Sequence, residues 1–223
     1  MNKWQKTLEN KYNHLLTIEI VIIIAFPLLH FVDAKFPLSS LLFLMALAPA
    51  LNVALKLRNF FIVMSMGAIV FVFRLIAKYK AIELNEEATF IVLGFYSVFI
   101  LLAIIILLKK IMSYRVVTSD TIKGGISIYI LIGFLWMMFY LMLFLIDPQA
   151  ILGASVEEER VVLDSFYYSF TTLTTLGYGD MVPVTNYAKI LAITEAVVGP
   201  LYIAILIAQL VALNMAAKMR EMD

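Results

Sequence analysis

The sequence predicts an all-α membrane protein of six apolar helices, with a shorter helix and a glycine-bearing loop between the fifth and the sixth. Three observations lead there. Hydrophobic residues fill 63% of the 223 positions and charged residues 15%, and a mean hydropathy of +0.97 excludes an ordinary soluble domain. Apolar runs long enough to cross a bilayer, which takes about 20 residues, recur along the chain. The segment from Asp147 to Asn186 is moderately apolar yet too irregular to cross.

The first four runs are Leu15 to Val32, Leu38 to Leu55, Phe60 to Ala77 and Ala88 to Leu108. Asp33, Lys35 and Pro37 follow the first, Lys56, Arg58 and Asn59 the second, and Lys78 to Glu87 the third. These read as short hairpin connections, so residues 1–108 form one four-helix membrane domain. A basic connector, residues 109–125, is expected to be a short interfacial helix on the cytoplasmic side. Gly124 and Gly125 would free the backbone to turn at its end. The fifth run is Ile126 to Ile146 and the sixth Tyr187 to Asn214, and with the segment between them they make a second unit, residues 126–223.

Several function classes are excluded. The chain has no cysteine, so disulfides, thiolate metal sites and cysteine nucleophiles are absent. His14 and His30 stand apart from any ligand-like cluster and read as interfacial polar residues. No serine, histidine and acid grouping and no phosphate loop occurs, so no enzyme and no cofactor are expected, and nothing points to nucleic acid. A cleaved leader is not expected, because Met1 to Tyr12 is polar and no A-x-A-like site follows the first run. Orientation follows from basic residues. With both termini in the cytoplasm, the inner side carries Lys3, Lys6, Lys11, Lys56, Arg58, Lys109, Lys110, Arg115, Lys123, Lys218 and Arg220, eleven of the 17. This multi-pass topology in the cell membrane puts Glu157, Glu158, Glu159, Asp164 and Asp180 outside, where an acidic mouth raises local cation concentration.

Within that outer segment, Asp164 to Thr174 reads as a short helix with Asp164 stabilising its amino end, and Thr175-Leu176-Gly177-Tyr178-Gly179-Asp180 follows. The string T-T-L-T-T-L-G-Y-G-D, residues 171–180, closely resembles the signature of tetrameric potassium channels. The resemblance is strong from Ile126 to Asn214. Over the first four runs it extends only to a bacterial six-segment, one-pore architecture without a charged sensor helix, since Ala88 to Leu108 carries no arginine. It implies a re-entrant pore helix, a filter loop and a potassium-selective homotetramer in a lipid bilayer, with K+ as the permeant ion. Backbone oxygens of Thr175, Leu176, Gly177 and Tyr178 would coordinate the ion, Gly179 would complete the filter, and the Thr175 hydroxyl would finish the innermost site. Carbonyls that all point one way require alternate residues in left-handed backbone angles, and Gly177 and Gly179 meet this need.

The resemblance also implies supporting residues. Tyr178 would turn outward onto Tyr167 and Tyr168, with Asp180, Thr171 and Thr174 flanking the filter. Two positions depart from the common pattern: Leu176 replaces valine or isoleucine, and Thr171 stands where some members carry a glutamate that meets the residue at Asp180. On the sixth run, Gly199 and Pro200 mark a bend that fits a gating hinge and a static kink alike. Ala204, Ala208, Val211 and Met215 share one helical face and suit either an apolar constriction or helix packing. Glu195, a carboxylate in an apolar helix, would support the filter from behind, whereas Glu19 reads as interfacial and Arg74 as snorkelling. Lys109, Lys110 and Arg115 read as topology anchors at an anionic leaflet. Steep voltage gating and gating by a cytoplasmic ligand domain are not expected.

Overall fold

The computed structural model describes residues 11–29, 68, 72, 76, 86–113, 118–155 and 157–222. The second expected span and Arg115 lie outside the described residues, as do Arg74 and all of the third span except the helical Ala68, Val72 and Ile76. The described chain is mostly helical: α1 Lys11–Leu29, α2 Glu86–Met112, α3 Ser119–Ile146, β1 Ile151–Leu152, α4 Glu158–Leu173, β2 Val182–Pro183 and α5 Asn186–Met222. Among the described residues, three helices, α2, α3 and α5, are long and apolar enough to cross a membrane.

Helix α3 starts where its sequence provides a cap. The Thr118 hydroxyl accepts from the Thr121 amide at 3.2 Å, and the Thr118 amide donates back to the Thr121 hydroxyl at 3.4 Å, a reciprocal capping box. Helix is therefore already established at Gly124 and Gly125, and the turn expected there does not form. Their missing side chains serve packing instead. A Cβ on Gly124 would stand 2.8 Å from the Tyr12 ring and 2.9 Å from Ile111, and one on Gly125 would stand 2.8 Å from Leu206. The same end of α3 holds α1: buried Asp120 accepts from the Tyr12 amide at 3.1 Å. Lys123 adds a 2.8 Å bond to the Asn13 side chain.

Helix α3 is the hub, with 67% of its apolar window buried against 44% for α2 and 11% for α5. Tyr12, Leu15, Ile100, Leu107, Ile128 and Leu131 fill the core where α1 and α2 lie against it. Glu19 is fully buried beside Ser127 of α3, which corrects its reading as interfacial: α1 lies with that face on the core. On α5, by contrast, Ile190, Ile193, Val197, Leu201, Ile205 and Val211 are all exposed in the single chain.

The strands β1 and β2 pair antiparallel, Ile151 opposite Pro183 and Leu152 opposite Val182, and the Val184 amide donates to the Ala150 carbonyl at 3.0 Å. The chain entering α4 is thereby tied to the chain leaving the loop after it.

Packing of α4 against α3 generates a test. A Cβ on Gly133 would meet the Phe170 ring at 2.8 to 3.0 Å, and that ring is held by Phe134 at 5.6 Å and Phe166 at 4.6 Å. Overpacking of this kind costs about 1–3 kcal/mol. Gly133→Ala is expected to lower the melting temperature of the purified protein in micelles. Gly94→Ala on α2, where a Cβ meets nothing within 4 Å, is expected to leave it unchanged or raise it.

Candidate functional site: the loop between α4 and α5

Helix α4 begins at Glu158, earlier than the sequence suggests, behind a Glu157 N-cap whose side chain makes no capping bond to the helix amides. Asp164 therefore lies inside the helix rather than capping it, and its carboxylate reaches back to the Ser155 amide at 2.6 Å. The exposed Glu157 and Arg160 pair at 3.2 Å adds little in water.

The carbonyl end of α4 shows how the loop is held. The last four carbonyls of a helix lack partners within it. Here all four have one. The Phe170 carbonyl accepts from the Thr174 amide at 3.1 Å and from the Thr174 hydroxyl at 2.6 Å. The Thr171 carbonyl takes the amides of Leu176 at 2.9 Å and Gly177 at 3.1 Å, and the Thr172 carbonyl takes that of Thr175 at 3.0 Å. The Leu173 carbonyl accepts from the Tyr129 hydroxyl of α3 at 3.0 Å. The start of the loop is thus bonded onto the helix it leaves.

Beyond this point φ is positive at every second residue: 59° at Thr175, 48° at Gly177 and 80° at Gly179. A Cβ would have open space at both glycines, so glycine is needed there for its backbone angle and not for room. Sequence reasoning placed Thr175 in the filter but assigned left-handed angles only to the two glycines, although the period of two that links them points to Thr175 as well. A β-branched residue in this region stores about 1–3 kcal/mol of strain, which the bonds of Thr171 and Thr172 hold in place. Residues 174–180 are all exposed in the single chain, Leu176 by 54%.

Around the loop, Tyr167 donates to the Asp180 carboxylate at 2.6 Å, and its ring stacks with Tyr178 at 6.5 Å and 6°. Tyr168 does not join this stack. It is buried edge-on against Tyr140 of α3 at 4.9 Å, because adjacent residues of a helix face about 100° apart. The Thr171 hydroxyl bonds the Tyr168 carbonyl at 3.1 Å and not Asp180. Gly153, which carried no signal in the sequence, has φ 88°, and a Cβ there would collide with the Asp180 carbonyl oxygen.

Behind the loop, α5 runs unbroken with Pro200 inside it. Gly199 is buried against α4, where a Cβ would overlap the Leu173 carbonyl, so close approach by itself requires this glycine. Glu195 is fully buried and lies 2.7 Å from the Tyr140 hydroxyl and 2.6 Å from the Ser169 hydroxyl of α4. Ser169, Tyr140 and Tyr129 are site residues the sequence did not single out. Trp136 and Tyr202 further join α3 and α5 through the carbonyls of Leu191 and Gly125, at 3.2 and 2.7 Å. Ala204, Ala208, Val211 and Met215 are exposed in the single chain. No group of three or more acidic or histidine side chains that could hold a metal occurs among the described residues.

The long helix α3, the short helix α4 with its strained glycine loop, and the long helix α5 make one unit, and comparison with known proteins finds it similar to an ion channel. A family model described as an ion channel matches residues 128–216. The two-pore potassium channel 4 of Arabidopsis thaliana is 39% identical over 54 residues, covering 24% of this chain and 19% of that protein. The match thus spans about a fifth of the curated relative's length. No solved structure matches. Over residues 128–216 the chain is thus similar to the ion-channel family, and over a shorter stretch to a potassium channel.

The bond to Asp180 pushes the Tyr167 pKa up to about 12, so the phenol keeps the proton it donates at neutral pH and gives it up as pH climbs through that value. Asp180→Asn is expected to bring Tyr167 ionisation back toward lower pH. Labelled-tyrosine NMR checks this, with Tyr167→Phe assigning the resonance.

Proposed function

We propose that this chain is the subunit of a potassium-selective channel in which four identical copies surround one passive conduction pathway. The single observation that carries the reading is the alternation of positive φ at Thr175, Gly177 and Gly179 directly after the carbonyl end of α4. Such alternation turns successive carbonyls the same way, and rings of carbonyls from converging strands replace the water that a potassium ion sheds. In this reading the oxygens of Thr175, Leu176, Gly177 and Tyr178 bind the ion, Gly179 completes the filter, and α4 is a re-entrant pore helix whose carbonyl end favours a cation. One strand cannot surround an ion, so the fourfold ring is needed to complete the site. The exposure of residues 174–180 and of the apolar faces of α5 supports assembly with further copies.

The remaining features follow the same reading. Six helices cross the membrane, four in a sensor-like domain over residues 1–108, with residues 109–125 as a cytoplasmic linker that runs into α3 and both termini inside. The chain is not an enzyme and needs no cofactor, as the ion-channel family it matches suggests. Gly199 and Pro200 allow α5 to bend, with Ala204, Ala208, Val211 and Met215 at a constriction below. Because Gly199 is also required for contact with Leu173, a movement of α5 at this point would be felt at the filter.

Potassium flux from liposomes containing the purified protein tests the proposal. Wild type is expected to pass potassium and not sodium, and Gly177→Asp is expected to abolish flux while the oligomer persists on size exclusion. Equal sodium flux would contradict selectivity, and an unaffected Gly177→Asp variant would contradict the filter assignment.

A further inference from the structure

The proton count around Glu195 carries a conclusion about its chemical form. Glu195, Ser169 and Tyr140 are each 0% exposed. Three short contacts join them to one another and to the backbone: Tyr140 hydroxyl to Glu195 Oε2 at 2.7 Å, Ser169 Oγ to Glu195 Oε1 at 2.6 Å, and Ser169 Oγ to the Gly133 carbonyl at 2.8 Å. With Glu195 ionised, only two protons, those of Tyr140 and Ser169, are available for three contacts. One pair of oxygens would then face each other lone pair to lone pair, at a separation that an intervening proton normally requires. A proton on Oε1 completes the set. Glu195 donates to Ser169, Ser169 donates to Gly133, and Tyr140 donates to Oε2.

Charge leads to the same answer. The titratable groups facing Glu195 are the phenols of Tyr140 and Tyr129 on α3 and of Tyr168 on α4. No basic side chain among the described residues pairs with it. A carboxylate at membrane depth without a cation is costly, and its neutral acid with both oxygens bonded is not. We propose that Glu195 works as a neutral carboxylic acid, a hydrogen-bond donor that fastens the inner helix α5 to the pore helix α4 and, through Ser169, to the outer helix α3. It is a positioning residue, since the contacts place it behind the filter and not on the conduction path.

The consequence for conduction rests on the reading of the chain as a channel, and the chemical form of Glu195 does not. Infrared difference spectra between wild type and Glu195→Gln are expected to show the carbonyl stretch of a protonated carboxylic acid at neutral pH. In Ser169→Ala that stretch is expected to move to higher frequency as the bond is lost. Carboxylate bands in place of the acid stretch, or no movement in Ser169→Ala, would overturn the proposal whether or not the protein conducts. In liposomes, Glu195→Gln, which keeps a donor and an acceptor in place, is expected to retain potassium flux and selectivity within about twofold. Glu195→Ala, which removes the bonds to both Tyr140 and Ser169, is expected to lose flux roughly tenfold or more. Equal loss in both variants, with the oligomer intact, would overturn the donor role.

Discussion

A helix that ends inside a membrane protein leaves its last carbonyls without partners, and the structure around α4 is arranged to answer that one requirement. Three of the four carbonyls, those of Phe170, Thr171 and Thr172, take amides from Thr174 to Gly177, so satisfying the helix also shapes the first part of the loop. The fourth, that of Leu173, accepts from Tyr129 of α3 and lies where only a glycine, Gly199, lets α5 approach. Helix termination, loop conformation and three-helix packing are therefore one constraint. Loosening any part of it leaves a buried carbonyl unpaired, at a cost of about 1–3 kcal/mol.

Two further ties act on the same loop from outside and behind. Asp180 is held by Tyr167 and bounded by Gly153, while the β1 and β2 pairing fixes the chain on either side. Behind it, Ser169 and Glu195 connect α4 to both long helices without a formal ion pair. The strained φ of Thr175 persists because these contacts over-determine it.

Much of this was legible in the sequence, and the exceptions have physical reasons. Apolar runs of span length gave α1, α2, α3 and α5 to within a few residues at most ends, since burial in a bilayer demands long unbroken hydrophobic segments. Glycine as punctuation misled at Gly124 and Gly125, where the capping box at Thr118 had already started a helix and small size served contact with Tyr12 and Leu206. The angles of Gly177 and Gly179 could be read because positive φ favours glycine, whereas at Thr175 only the period of two marks an angle that its neighbours impose. Tyr129, Tyr140, Ser169 and Gly153 act only through partners distant in the chain, and no local pattern marks such pairs.

The proposed arrangement of residues 175–179, an alternating backbone whose carbonyls form rings around an axis shared by four copies, is open to direct observation. Anomalous X-ray scattering from the assembled protein in thallous ion, a heavy surrogate for potassium, tests it most directly. Anomalous density is expected in a row on a fourfold axis, level with the carbonyls of Thr175 to Tyr178, and is expected to vanish when sodium replaces the surrogate. Density away from that axis, or an assembly whose copies keep residues 175–179 apart, would contradict it.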